Sequence, residues 1–259
     1  MSVRIRVAFC LAALAFAASL FAAENPFAGT WKLNPAKSKF TGDTTKFEQK
    51  ASGEILWSSE GFEYTFKLDG EDYPTPSGRT LAWKQLNERT WETVAKVEGK
   101  VLGTGRIEIS PDGKTMTLTR TGTKPSGEPF TEVTTRQRIS GGPGLFGVWK
   151  STKVQTSPEV VEITVSGVDE LTLSVPAYQL VCKAQLDGKD YPCTGPTLPA
   201  GTTMSLKRSG DRALEWVHKL SGKPIDIGTM KVSKDGRKLT EKSWSPRVKG
   251  VVTVAVYEK

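Results

Sequence analysis

Two stretches of this chain read as copies of each other, which confines it to folds built from two like units. Phe27-Ala-Gly-Thr-Trp31-Lys32 is matched by Leu145-Phe-Gly-Val-Trp149-Lys150, an offset of 149 − 31 = 118. Leu68-Asp-Gly-Glu-Asp-Tyr-Pro74 is matched at the same offset by Leu186-Asp-Gly-Lys-Asp-Tyr-Pro192. After a five-residue insertion near Pro199-Ala-Gly201 the offset becomes 123, and Thr80 to Glu92 then aligns with Thr203 to Glu215. Gly105 with Gly228 and Asp112-Gly113 with Asp235-Gly236 keep that offset. Order and spacing persist through most of both halves, as an internal duplication requires. Ser140-Gly-Gly-Pro-Gly144 has the composition of a boundary between them.

Each repeat of about 115 residues is the size of one small domain. Its pattern is strand and turn. Phe62, Tyr64, Phe66 and Leu68 alternate with Glu63, Thr65 and Lys67, the period of a half-buried strand. Leu81 and Trp83, then Thr93, Ala95 and Val97, then Ile107 and Ile109 repeat the alternation. Asp69-Gly70, Asn87-Glu88, Glu98-Gly99 and Asp112-Gly113 separate the runs as hairpin turns. Eight to ten short strands per repeat follow. Hydrophobic residues at 37% of the chain suffice for a packed core, and 25 glycines with 15 prolines favour short strands over long helices. A meander with one apolar face hides that face and its edges by closing on itself. The fold expected is all-β: two tandem antiparallel barrels, at 24–141 and 145–259. Strands swapped between the repeats into one larger barrel would satisfy the same pattern.

The N-terminus reads as a secretory signal peptide over 1–23. Arg4 and Arg6 precede an apolar run from Val7 to Phe21, followed by Ala22 and Ala23. The run is short for a membrane span, and no later stretch is apolar enough, so no transmembrane segment is expected in the mature chain. The compartment expected is periplasmic or extracellular. The formal charge is +8. Between Glu24 and Gly141 there are 17 basic and 16 acidic residues, against 17 and 12 beyond, so the excess lies in the second half. With export and no run of five like charges, that excess reads as solubility or attraction to anionic surfaces; no nucleic-acid partner is expected.

The opening Phe27-x-Gly29-Thr-Trp31-Lys32-Leu33 resembles the Gly-x-Trp start of calycins, the lipocalins and intracellular fatty-acid-binding proteins. The closing Val256-Tyr257-Glu258 is similar to the last strand of fatty-acid-binding proteins. The longer phrase from Gly29 to Phe40, with the Asp-Gly-x-Asp-Tyr-Pro hairpins, resembles a group of secreted bacterial lipocalin-like proteins over nearly all of the mature chain. The resemblance implies calycin-type barrels in which Trp31 and Trp149 plug the closed end, each covered by a cation from a last strand. It also marks departures. Asn34 to Gly42 is too short for the two-helix lid of fatty-acid-binding proteins. Their carboxylate-holding Arg-x-Tyr corresponds to Arg136-Gln-Arg138 in repeat one and to Ala255-Val-Tyr257, without the arginine, in repeat two.

With Asp187-Gly188 as a two-residue turn, counting outward places Cys182 opposite Cys193, and an oxidising compartment favours a disulfide there. Two cysteines and one histidine leave a metal-ligand set incomplete, so no metal is expected. His218, the only histidine, shares a strand face with Leu214, Trp216 and Leu220. It reads as a ligand contact or general base, or as a hydrogen-bonded core histidine. Its counterpart in repeat one is Ala95. Phe62, Tyr64 and Phe66 correspond to the smaller Leu180, Cys182 and Ala184, which points to a filled repeat one and a roomier repeat two. Trp216 and His218, in place of Thr93 and Ala95, work against that.

Catalytic templates are missing. There is no Gly-x-Ser-x-Gly, no His-Glu-x-x-His and no phosphate loop. The function expected is non-catalytic: binding of a small apolar or amphipathic ligand, without a cofactor, through Tyr64, Phe66 and Arg136 in repeat one and Trp216 and His218 in repeat two. The rival is an interaction module whose barrels are filled and whose outer faces bind a protein or glycan. A third reading is an outer-membrane barrel; outward Glu63, Lys67, Lys84, Glu92 and Lys96 argue against its lipid-facing apolar band.

Overall fold

A computed structural model describes residues 25–259 except Val168 and Lys249; the segment read as a signal peptide lies outside the described residues. Ten strands precede the Gly-rich linker: β1 (Gly29–Leu33), β2 (Thr44–Gln49), β3 (Ile55–Ser59), β4 (Phe62–Phe66), β5 (Asp69–Pro74), β6 (Thr80–Asn87), β7 (Thr90–Val97), β8 (Lys100–Ile109), β9 (Thr115–Thr123) and β10 (Pro129–Ser140). Ten follow it: β11 (Gly147–Gln155), β12 (Val160–Ser166), β13 (Glu170–Val175), β14 (Leu180–Gln185), β15 (Asp187–Thr194), β16 (Thr202–Gly210), β17 (Ala213–Leu220), β18 (Lys223–Val232), β19 (Lys238–Trp244) and β20 (Thr253–Glu258). The chain is all-β, and the strands form two antiparallel barrel-like sheets.

The turns set the register. Val97 pairs with Lys100 around Glu98-Gly99, and Leu220 with Lys223 around Ser221-Gly222. Both central residues of each turn have positive φ: 48° and 78° in the first, 49° and 76° in the second. That backbone matches the right-handed twist of the flanking strands, and the glycine adopts it without steric cost.

The division of the chain does not coincide with the division between sheets. The first sheet runs β4-β3-β2-β11-β10-β9-β8-β7-β6-β5, and the second closes as β1-β12-β13-β14-β15-β16-β17-β18-β19-β20. Each half has given its first strand to the other. β1 lies between β12 and β20, with Trp31 opposite Val161 and Leu33 opposite Tyr257. β11 lies between β10 and β2, with Trp149 opposite Arg138 and Thr45. The expected spans 24–141 and 145–259 therefore each supply nine strands to one sheet and one strand to the other. The 140–144 segment is tied down by Arg138, which donates to the carbonyls of Gly142 at 2.5 Å, Gly144 at 2.6 Å and Phe146 at 2.6 Å.

The exchange is anchored by aromatic plugs. Trp31 and Phe27 are fully buried in the core of the second sheet, with Ile163, Leu171, Leu206 and Leu214. Trp149 and Leu145 are buried in the core of the first, with Phe47, Phe66 and Ile107. Each indole donates to a backbone carbonyl four residues earlier, Trp31 to Phe27 at 2.8 Å and Trp149 to Leu145 at 2.9 Å. Each also carries a cation on its face, Lys259 Nζ at 4.5 Å from the Trp31 centroid and the Arg138 guanidinium at 4.0 Å from Trp149.

The sheets differ at one seam. In the second, β14 and β15 are joined by only two residue pairs, Val181 with Thr194 and Cys182 with Cys193. The cysteines form a disulfide there, with Cα atoms 4.4 Å apart, in the register counted from the Asp187-Gly188 turn. In the first sheet the corresponding strands β4 and β5 are the two unjoined edges, and Tyr64 and Thr75 stand at the cysteine positions.

The two halves meet through the same kind of turn contact twice. Ser245 Oγ donates to the Glu60 carbonyl at 2.6 Å, and Arg247 lies 4.3 Å over Phe62. In the other direction, Ser126 N donates to the Ala177 carbonyl at 3.1 Å, and Gln179 Nε2 to the Pro125 carbonyl at 3.0 Å. The segments carrying the chain from one sheet to the other pass through this junction.

Candidate functional site

The first sheet encloses a cavity of about 940 Å³ that opens toward this junction. The first sheet is therefore not filled; its larger aromatic side chains point to filling, and Thr93 and Ala95 in place of Trp216 and His218 point the other way. The reason lies on the strands next to Trp83. Thr93, Ala95, Gly103 and Gly105 on β7 and β8 line the space with little side-chain volume. At the 123-residue offset their counterparts are Trp216, His218, Asp226 and Gly228. In the second sheet the Trp216 ring lies so close over Gly228 that an added Cβ would come within 2.6 Å of it. Over Gly105 the corresponding place is held by the small Thr93 hydroxyl, close to where a Cβ would stand, and the rest of the indole's volume is left to the cavity.

An aromatic cluster stands beside the small residues, with Trp83 on β6 paired directly with Thr93 on β7. Trp83 is edge-on to Phe47 at 5.9 Å and stacked on Phe66 at 4.4 Å. Trp57 packs against Tyr64 at 5.2 Å. Trp83 Nε1 donates to Tyr64 Oη at 3.1 Å, which fixes both rings. Burial raises the Tyr64 hydroxyl above its ordinary value, so it stays protonated. Tyr64 and Arg136 line the cavity, whereas Phe66 is fully buried behind Trp83 and does not reach it.

Charges crowd one side. Arg136, at the position the fatty-acid-binding resemblance singles out, is committed to Asp43: its Nη2 donates to the carboxylate at 2.7 Å. Asp43 also accepts from Ser151 Oγ. Arg120 pairs with Glu132 at 2.8 Å. Lys124 is buried, 3.7 Å from Glu128 and 5.6 Å from the Tyr178 ring centre. Glu159 is raised above the usual carboxylate range by burial, with the Tyr178 hydroxyl bonded to it. Arg79 is different: among the described residues no carboxylate lies within 4.0 Å of its guanidinium, and burial first, then the Arg120 charge, lowers its pKa.

This rim belongs to both halves. Arg79, Lys124 and Arg136 come from the first, and Glu159, Tyr178, Thr197 and Ile225 from the second. The sequence pattern did not single out Arg79, Lys124, Glu159 or Tyr178, because they meet only across the junction.

The second sheet carries a separate titratable cluster on its inner face. His218 is paired in register with Asp226, and its ring lies 5.0 Å from Trp216. Its imidazole and the Cys182 and Cys193 sulfurs all lie within 4.8 Å of one another. Burial lowers the His218 pKa, so the ring is neutral at pH 7. Glu241 Oε2 accepts from Tyr257 Oη at 3.3 Å. Burial, then the neighbouring Asp226 charge, pushes Glu241 up to about 7, and burial pushes Asp226 up to about 6. Trp216 and His218 thus sit together here, apart from Tyr64 and Arg136. At the 123-residue offset Asp226 and Glu241 correspond to Gly103 and Leu118, so the signal was an acid at a position that is apolar in the other half.

Among the described residues, no helix is long and apolar enough to cross a membrane. No protein-family model, curated protein or solved structure matches the chain.

Proposed function

We propose that this chain is an exported, non-catalytic binding protein of duplicated, calycin-like barrels, and that it holds a small amphipathic ligand in the cavity of the first sheet. One observation carries the reading: a space of about 940 Å³ with an aromatic wall and an unpaired guanidinium, Arg79, on its rim. Ligand sites of roughly 300–1,000 Å³ have this character, an apolar lining with a few polar groups that set orientation. Trp57, Trp83 and Tyr64 supply contact area for the apolar part. Arg79, whose guanidinium has no partner among the described residues, faces the polar end, while Arg136 is neutralised by Asp43 and shapes the wall instead.

Export rests on the N-terminal segment and agrees with the Cys182–Cys193 disulfide, since such bonds persist in oxidising compartments. The non-catalytic assignment rests on the missing templates and on a rim whose other charges are mostly paired to each other.

The test is native mass spectrometry on protein recovered from the periplasm of a bacterial host without delipidation. The expected result is a discrete added mass that leaves on gentle activation and is reduced in Arg79→Ala. An apo mass, together with no change in tryptophan emission when anionic and neutral amphiphiles are added, would overturn the reading.

A further inference from the structure

The Cys182–Cys193 disulfide has a feature beyond its role as a covalent link. It occupies one of only two residue pairs that join β14 to β15, and so lies on the seam that closes the second barrel. Its sulfurs face the only histidine of the chain across that barrel's inner wall. The three donor atoms lie within 4.8 Å of one another although they belong to β14, β15 and β17. Metal bonds of about 2.0–2.3 Å place donors roughly 3.5–4 Å apart around one ion, so the two sulfurs must part to that distance once their bond is broken, while His218 already stands within reach. Met204, another soft donor, is paired with His218 in the β16–β17 register and is buried in the same core as Cys182.

We propose that reduction of the Cys182–Cys193 disulfide converts this point of the barrel wall into a three-coordinate site for monovalent copper, held by both thiolates and His218. Two thiolates and an imidazole suit a soft d¹⁰ cation. Zinc would need a fourth ligand beside these three donors, a protein group or a water, whereas monovalent copper is satisfied by three. The electrons balance simply. The disulfide takes two electrons and two protons from an external dithiol, which leaves as its own disulfide. The two thiols then release their protons to solvent as the ion binds, and copper stays monovalent throughout. The ion replaces the covalent staple, so the seam that stands open between β4 and β5 of the first sheet is closed in the second either by a disulfide or by a metal.

The experiment uses the full chain carrying Cys10→Ser, so that Cys182 and Cys193 supply the only thiols. Protein reduced with a phosphine and freed of it under nitrogen is titrated against the coloured copper(I)–bicinchoninate complex. The reduced protein is expected to withdraw one equivalent and the oxidised protein none. His218→Ala should weaken the withdrawal by roughly tenfold or more, the scale on which even outer-shell changes act. Thermal unfolding followed by circular dichroism provides the second readout. The reduced protein should melt below the oxidised one, and one equivalent of copper(I) should restore much of the loss. Equal withdrawal by reduced wild type and His218→Ala would overturn the proposal, as would withdrawal by oxidised protein or a reduced protein that is unfolded before copper is added.

Discussion

The Lys259 ammonium lies 4.5 Å from the centre of the Trp31 ring and donates to the Ala28 carbonyl at 2.7 Å. The end of the second half thus covers the tryptophan of the first. Arg138 and Trp149 make the converse pair at 4.0 Å. Every cation–indole cap joins residues of one barrel that come from different halves of the sequence. Trp31→Ala is therefore expected to damage the sheet built mainly from repeat two. A buried aromatic truncated to alanine costs about 3–5 kcal/mol. Hydrogen exchange read by mass spectrometry should show lost protection across 160–258 and retained protection across 44–140. The opposite distribution would contradict the strand exchange.

Deleting Gly29–Leu33 removes the strand that joins β12 to β20 and leaves both with bare edges. Exposed edges pair with other chains. The shortened protein is expected to aggregate, or to bind a synthetic peptide spanning 25–38 as a replacement strand. A monomeric, cooperatively folding deletion variant with no affinity for the peptide would count against this topology.

The cavity of the first sheet exists because Thr93 stands where the second sheet has Trp216. Thr93→Trp should lay an indole over Gly105, as Trp216 lies over Gly228. Ligand binding should fall at least tenfold, while stability changes by no more than about 1–3 kcal/mol, the usual cost of imperfect filling. Fluorescence titration paired with thermal melts separates the two effects. Undiminished affinity would place the ligand elsewhere.

Glu241 and Asp226 give the fold a pH dependence of defined sign. Both carboxyls have folded pKa values above their ordinary ones, about 7 and about 6, so the folded protein holds these protons more tightly than the unfolded chain. Stability should rise as pH falls through 7, and this gain is complete once the pH is below the ordinary carboxylate values. His218 acts in the opposite sense, but only below its ordinary value near 6.5. Between pH 8 and 6.5 the Glu241 contribution therefore leads. The melting temperature should be higher at pH 6.5, and Glu241→Gln should shrink the difference. A variant that keeps the full wild-type difference would remove Glu241 as its source.

Much of this was legible in local pattern. The alternation of Phe62, Tyr64 and Phe66 and the turn pair Glu98-Gly99 placed strands and hairpins, because period and backbone twist are local properties. The pairing of Cys182 with Cys193 followed from one turn. What the pattern hid depends on which distant pieces meet. Trp31 reads the same whether β1 closes its own sheet or the other. Arg79, Lys124 and Glu159 are ordinary surface charges until two halves bring them to one rim. The pattern leaves the free volume open because Phe62, Tyr64 and Phe66 argue for filling while Thr93 and Ala95 argue against it, and only the packed structure weighs one against the other.

The exchange of first strands also orders assembly in time. β1 is made early, yet its partners begin at Val160 and Thr253, so more than a hundred residues must follow before either exists. The sheet of the first half likewise waits for β11, synthesised after the last of its own nine strands. Long-range pairings of this kind make folding slow, since chain entropy is lost before the contacts that offset it form. Neither barrel can be completed while the other half is missing, so an interrupted chain leaves no finished domain behind.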